Sequence, residues 1–167
     1  MRKIRVLVVD DSLMFRELLV QNLSRDPEIQ IVGTAKDPFE ARDKILECKP
    51  DVMTLDVELP RMSGIEFLRK LMPQYPMRVV VISALSDKVF DAMQAGAVDF
   101  VAKPAVSSQA QLQEFVRTDL IEKIKIAANA QLGNVRRKDL IRTDHHLSVK
   151  NKEHIVAIGA STGGTEA

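Results

Sequence analysis

The chain has 167 residues, enough for one domain with something attached, since a domain takes about 100–200 residues. Hydrophobic residues make up 46%, which argues for a packed core over a disordered chain. A formal net charge of +1 gives no global field to draw nucleic acid or an anionic membrane, and the lone Cys48 excludes an intrachain disulfide framework and fits a reducing compartment.

No apolar stretch approaches the roughly 20 residues of a membrane span, and the N-terminus enters a strand too soon to hold a signal peptide. These features predict a soluble, cytoplasmic protein without membrane insertion. Ile4–Val9 is a nearly continuous apolar run, as in a strand covered on both faces. Ser12 can cap the helix that follows, with Met14, Leu18 and Leu19 recurring at helical spacing through Leu23. A second strand spans about Ile29–Ala35. Asp37-Pro38 then supplies an N-cap and a first-turn proline, with Glu40 placed to reach back and Ala41, Ile45 and Cys48 on one side.

Asp51–Asp56 is the third strand. Ser63 and Glu66 form a capping box for a helix with Ile65, Leu68 and Met72 inward, and Pro73 stops it. Arg78–Ser83 is the fourth strand, and a short helix from Ser86 to Ala95 ends at Gly96. Val98–Ala102 is the fifth strand, followed by Lys103-Pro104. The last helix begins near Ser108, with Gln111 as its capping partner, and runs to about Leu132. Its apolar positions Leu112, Val116, Leu120, Ile124 and Ala128 fall at steps of four.

Strictly alternating strands and helices imply parallel pairing through right-handed crossovers. The expected fold is α/β, a flavodoxin-like doubly wound five-stranded parallel sheet in the order 2-1-3-4-5. In such sheets ligands bind at the carboxyl edge, and there the chemistry-bearing residues gather: Asp10 and Asp11 after strand one, Asp56 ending strand three, Ser83 ending strand four, Lys103 after strand five. A cluster of acids repels itself unless a hard cation sits among them, and oxygen ligands of this kind suit Mg²⁺.

Phosphoryl transfer needs an in-line nucleophile and charge neutralisation on the equatorial oxygens. Asp56 is the candidate phosphoacceptor and Lys103 the fixed positive charge beside it. Asp11, Asp56 and the backbone carbonyl of Glu58 are the candidate Mg²⁺ ligands, with Asp10 acting through a water. The Ser83 hydroxyl can reach a phosphoryl oxygen, and Phe100 can fill the space it vacates. Phe100 has plain core packing as its alternative reading, and Glu58 reads as a solvated loop acid or as a group that affects the water hydrolysing the acyl phosphate.

From 134 to 153 the chain is charged and poor in large apolar residues, as in an interdomain linker. His154–Ile158 reads as a new strand, followed by Gly159-Ala160-Ser161-Thr162-Gly163-Gly164. That G-x-S-x-G pattern exposes a serine nucleophile; a glycine-rich turn after a strand can equally cradle phosphate.

Taken together, Asp10-Asp11, the segment Asp56-Val57-Glu58-Leu59-Pro60-Arg61-Met62-Ser63-Gly64, the segment Gly96–Pro104 and the Ile158–Ala167 ending resemble the N-terminal part of the chemotaxis-type protein-glutamate methylesterases and glutamine deamidases. These are response regulators whose output domain is a hydrolase. The resemblance implies a receiver at 1–133, a linker at 134–153, and the truncated start of a catalytic domain at 154–167 with Ser161 in the nucleophile's place. It implies phosphorylation by the chemotaxis histidine kinase, relief of inhibition of the protein's own methylesterase domain, and action on the cytoplasmic domains of chemoreceptors. A serine nucleophile needs a base and an orienting acid. In this family they come from far downstream, so the chain reads as a fragment with an incomplete esterase site. A DNA-binding output would require a helix-turn-helix module after the linker, and the Gly159–Gly164 turn argues against one. A stand-alone receiver acting through protein contacts stays open. A haloacid-dehalogenase-like phosphatase would carry its nucleophile after the first strand.

Overall fold

The first apolar run goes straight to the centre of the molecule: Val6, Leu7 and Val8 of strand β1 (Ile4–Val9) expose no surface. The computed structural model describes residues 1–105 and 108–132. In chain order the remaining elements are α1 (Leu13–Leu23), β2 (Ile29–Ala35), α2 (Pro38–Cys48), β3 (Val52–Asp56), α3 (Gly64–Gln74), β4 (Arg78–Ser83), α4 (Val89–Gln94), β5 (Asp99–Ala102), α5 (Gln109–Phe115) and α6 (Ile121–Asn129). The five strands form one parallel sheet in the order β2-β1-β3-β4-β5, as the strand–helix alternation predicts. Met1–Ala130 makes one compact unit. The proposed linker, the strand at His154–Ile158 and Ser161 lie outside the described residues.

Side chains alternate across a strand, and the sheet uses this to build two cores. Val6, Val8, Val52, Val80, Ile82 and Val101 pack on the face covered by α1 and the C-terminal helical stretch. Leu7, Val9, Met53, Leu55, Val79 and Val81 pack on the face covered by α2, α3 and α4. Burial of apolar surface at about 25 cal/mol per Å² is the main favourable term, and both faces contribute.

Capping follows the local sequence. Ser12, Asp37, Ser63 and Ser108 each accept a hydrogen bond from the amide three residues on, at 3.3, 2.8, 3.1 and 3.3 Å. Glu40 reaches back to the Lys36 amide at 2.8 Å. Such caps contribute about 1 kcal/mol each. Gly96, at φ 111°, closes α4 with Gly96 N–H donating to Met93 and Ala97 N–H to Ala92, the paired bonds of a left-handed C-terminal stop.

Four expectations are corrected. In α1 the inward stripe is Phe15, Leu19 and Leu23, while Met14 is exposed; the phase of Leu13-Met14-Phe15 is set by which residue meets β1. Pro73 does not end α3 but sits inside its last turn, and the helix closes one residue later with Tyr75 N–H donating to Leu71. Proline removes one helical N–H and crowds the carbonyl four residues before it, so its cost falls on the preceding turn and it does not stop the helix at its own position. The expected helix at 86–95 is a 3₁₀ turn (Ser86–Lys88) leading into the shorter α4.

The last helix is interrupted by a π turn at Val116–Leu120 and ends at Asn129. Four residues advance 400° on an α-helix, so a stripe at strict steps of four drifts about 40° per step. The wider π turn resets that drift. Leu112, Val116, Leu120 and Ile124 are therefore all buried, and the stripe then passes to Ala127.

Candidate functional site at the carboxyl edge of the sheet

The alternation that makes two cores also decides which end-of-strand side chains meet. Asp10, Asp56 and Lys103 are in phase with Val8, Thr54 and Val101, so all three turn toward the α1 side. Lys103 Nζ lies 3.0 Å from Asp10 Oδ2 and 3.3 Å from Asp56 Oδ2. Both carboxylate side chains are only 2% exposed, so these pairs act in a poorly screened environment.

Backbone amides hold the carboxylates in place. Ser12 N–H donates to Asp10 Oδ1 at 2.9 Å, and Glu58 N–H donates to Asp56 Oδ1 at 3.1 Å. Asp11, by contrast, is exposed. Oxygens of Asp10, Asp11 and Asp56 all lie within 4.8 Å of one another. Three carboxylates against one ammonium leave excess negative charge, and their hard oxygens suit a hard divalent cation.

Burial pushes the Asp56 carboxyl up to about 6; Lys103 opposes this and the Asp10 charge adds to it. At neutral pH Asp56 is still mostly ionised and thus able to act as a nucleophile. Burial works to lower the Lys103 pKa, but the two carboxylates outweigh it and the ammonium is held above its ordinary range.

Ser83 and Phe100 have the opposite phase. Ser83 ends β4 fully buried, one residue past Ile82, the register partner of Asp56; its Oγ accepts from Leu85 N–H at 3.0 Å. Phe100 is half-buried and packs against the α2–α3–α4 core. Lys103 N–H donates to the Ser83 carbonyl at 2.8 Å, so the backbone of one strand end is tied to the other. Glu58 is exposed in the β3–α3 loop.

Three contributors were not among the residues singled out from sequence. The Phe15 ring lies beneath Lys103, with Nζ 4.1 Å from its centroid. Arg16 Nη1 donates to the Asp10 carbonyl at 2.6 Å, bracing the acidic loop from α1. Gly64 at the start of α3 packs against the Asp56 backbone so closely that any Cβ there would overlap its carbonyl oxygen. An arginine and an aromatic early in the helix after an acid pair were the available signal for the first two.

Among the described residues no helix is long and apolar enough to cross a membrane. The family model for the response regulator receiver domain matches residues 6–117. Over its whole length the chain is 58% identical to protein-glutamate methylesterase/protein-glutamine glutaminase 2 of Syntrophomonas wolfei, covering 48% of that protein. It is 46% identical, over 99% of its length, to the protein-glutamate methylesterase/protein-glutamine glutaminase of Syntrophotalea carbinolica, covering 50% of it. The chain thus spans about half the length of the curated relatives it matches. Its fold is similar to the crystal structure of the response regulator domain of Thermotoga maritima CheB, with TM-score 0.71 and 42% identity over 78% of this chain and 99% of that one. On these matches the chain belongs to the response regulator receiver domain family, with a receiver of the protein-glutamate methylesterase type.

Proposed function

We propose that this receiver takes a phosphoryl group onto Asp56 from a chemotaxis histidine kinase, and that the modification relieves inhibition of a methylesterase/deamidase domain in the whole protein. The observation that carries the reading is the Lys103 ammonium 3.0 and 3.3 Å from two buried carboxylates, one of which ends a central strand. In the reaction an Asp56 oxygen attacks phosphorus, the bond to the donor nitrogen or oxygen breaks, and its electron pair leaves with the donor. Lys103 is a point charge available to one phosphoryl oxygen, and the Ser83 O–H is a donor available to another. Asp11, Asp56 and the Glu58 carbonyl would hold Mg²⁺, with Asp10 contributing through a water. Bound there, Mg²⁺ supplies charge neutralisation for the phosphoryl oxygens. The substrates in this reading are glutamate methyl esters and glutamines on chemoreceptor cytoplasmic domains, with Ser161 as the nucleophile of the output domain.

Acetyl phosphate with Mg²⁺, followed by intact-mass measurement, tests the first step. Wild type should gain one phosphoryl group and Asp56→Asn none; equal labelling of the two removes Asp56 from the role. Ser83→Ala and Phe100→Ala should leave labelling in place while weakening the difference between phosphorylated and free forms. Glu58→Ala should change the lifetime of the acyl phosphate.

A further inference from the structure

Lys103 holds its position through more than its ion pairs. Its ammonium has three N–H donors, two of them used by Asp10 and Asp56, and the Phe15 ring lies with its centroid 4.1 Å from Nζ. Phe15 is 8% exposed, and it belongs to the core made by α1, the sheet and the C-terminal helical stretch, so the ring is fixed. A cation over an aromatic face is attracted by the ring quadrupole, and more so where water is excluded.

We propose that Phe15 is a positioning residue for phosphoryl transfer: its ring face carries the Lys103 ammonium beside Asp56 while the ammonium's partners change. The inference rests on Asp56 being the phosphoacceptor. Carboxylate bonds are directional, and the one to Asp56 is altered when that oxygen becomes part of an acyl phosphate. The attraction of a ring face varies little as a cation slides across it. Phe15 therefore offers Lys103 the same support before and after transfer, and it keeps the flexible side chain from swinging into solvent. A leucine would keep an apolar side chain there without supplying the quadrupole.

The test replaces Phe15 with leucine and, separately, with phenylalanines fluorinated at one, two and three ring positions, which weakens the quadrupole at nearly constant size. The readouts are the rate constant for labelling by acetyl phosphate with Mg²⁺ and the melting temperature of each protein. Stepwise slowing along the fluorinated series, reaching roughly tenfold, is expected at unchanged melting temperature. A tenfold loss is about 1.4 kcal/mol, inside the range for a partly desolvated cation over a ring. Phe15→Leu should match the most fluorinated variant. If that variant fails to fold, the fluorinated series still decides. Rates indifferent to fluorination would reduce Phe15 to a core residue. A wild type that gains no phosphoryl group on Asp56 would instead remove the reading on which the inference rests.

Discussion

Gly64 opens α3 against the backbone of Asp56, with its N–H donating to the Val57 carbonyl at 2.8 Å and no room for a side chain. The constraint is steric: a Cβ would overlap the Asp56 carbonyl oxygen and lie 3.1 Å from Val57 Cα. Backbone cannot yield as a flexible side chain can, so a methyl group here must displace either the helix start or the end of β3. Gly64→Ala should cost about 2–3 kcal/mol, in the range of overpacked cores. That lowers the melting temperature by roughly 10 °C for a domain of this size. It should also slow phosphoryl transfer, because the displaced strand end carries Asp56. A variant within a degree of wild type would show that the loop absorbs the methyl group.

Mg²⁺ should stabilise the folded domain, with Asp11 carrying more of the effect than Asp10. Asp10 already has partners, Lys103 on one oxygen and Ser12 N–H on the other, whereas Asp11 is exposed and free to turn toward a cation. An ion that binds only the folded state adds about 2.7 kcal/mol at a hundredfold excess over its Kd. Asp11→Ala should melt no lower than wild type in chelator, since repulsion is relieved, and should gain little from Mg²⁺. Asp10→Ala should keep part of the response. Melting curves of the three proteins with and without Mg²⁺ decide this, and a wild type indifferent to the ion would remove the metal from the reading.

How far the site could be read ahead of the structure depended on the element. The strands were legible because a sheet covered on both faces demands nearly continuous apolar runs, and Asp56 and Lys103 stand out as the charged residues that directly follow Leu55 and Ala102. The inward turn of Phe15 was not legible. Leu13-Met14-Phe15 and Leu18-Leu19-Val20 give α1 apolar residues in every direction, so its phase is fixed only by the packing against β1. Steps of four in the last helix likewise cannot distinguish a drifting α-helix from one reset by a π turn. Gly64 follows an ordinary capping serine, and nothing local marks the strand end it meets.

In chelator the domain should lose stability as pH rises from about 4 to 7. Burial raises the Asp56 pKa to about 6, against roughly 3.9 for an unfolded aspartate. Between these values the folded state binds more protons than the unfolded one, so stability falls with increasing pH. The contribution is fully present below the unfolded value and gone once pH passes the folded one. Two pKa units set a ceiling of about 3 kcal/mol. Asp56→Asn removes the titration, and its stability should change less over the same window. Denaturant melts of both proteins at pH 4, 5, 6 and 7 test this; parallel curves would show that Asp56 titrates alike in both states.

Thr54 should be a site of excess cost in β3. It is 1% exposed, flanked in register by Val8 and Val80, and its Oγ1 is a buried side-chain oxygen without a hydrogen-bond partner. A hydroxyl taken from water with nothing to replace its hydrogen bonds costs about 1–3 kcal/mol. Valine has the same branching and puts a methyl group where the hydroxyl was, on a face already lined by valines. It also suits a central strand at least as well as threonine. Thr54→Val should therefore stabilise the domain by about 1–2 kcal/mol, a rise of several degrees in melting temperature. Thr54 shares its sheet face with Asp56, yet lies two residues back in the core, so labelling of Asp56 should stay within about twofold of wild type. Calorimetry together with the acetyl phosphate assay checks both halves. A destabilised Thr54→Val would mean that the hydroxyl is satisfied in solution, and slowed labelling at normal stability would mean that it serves the site.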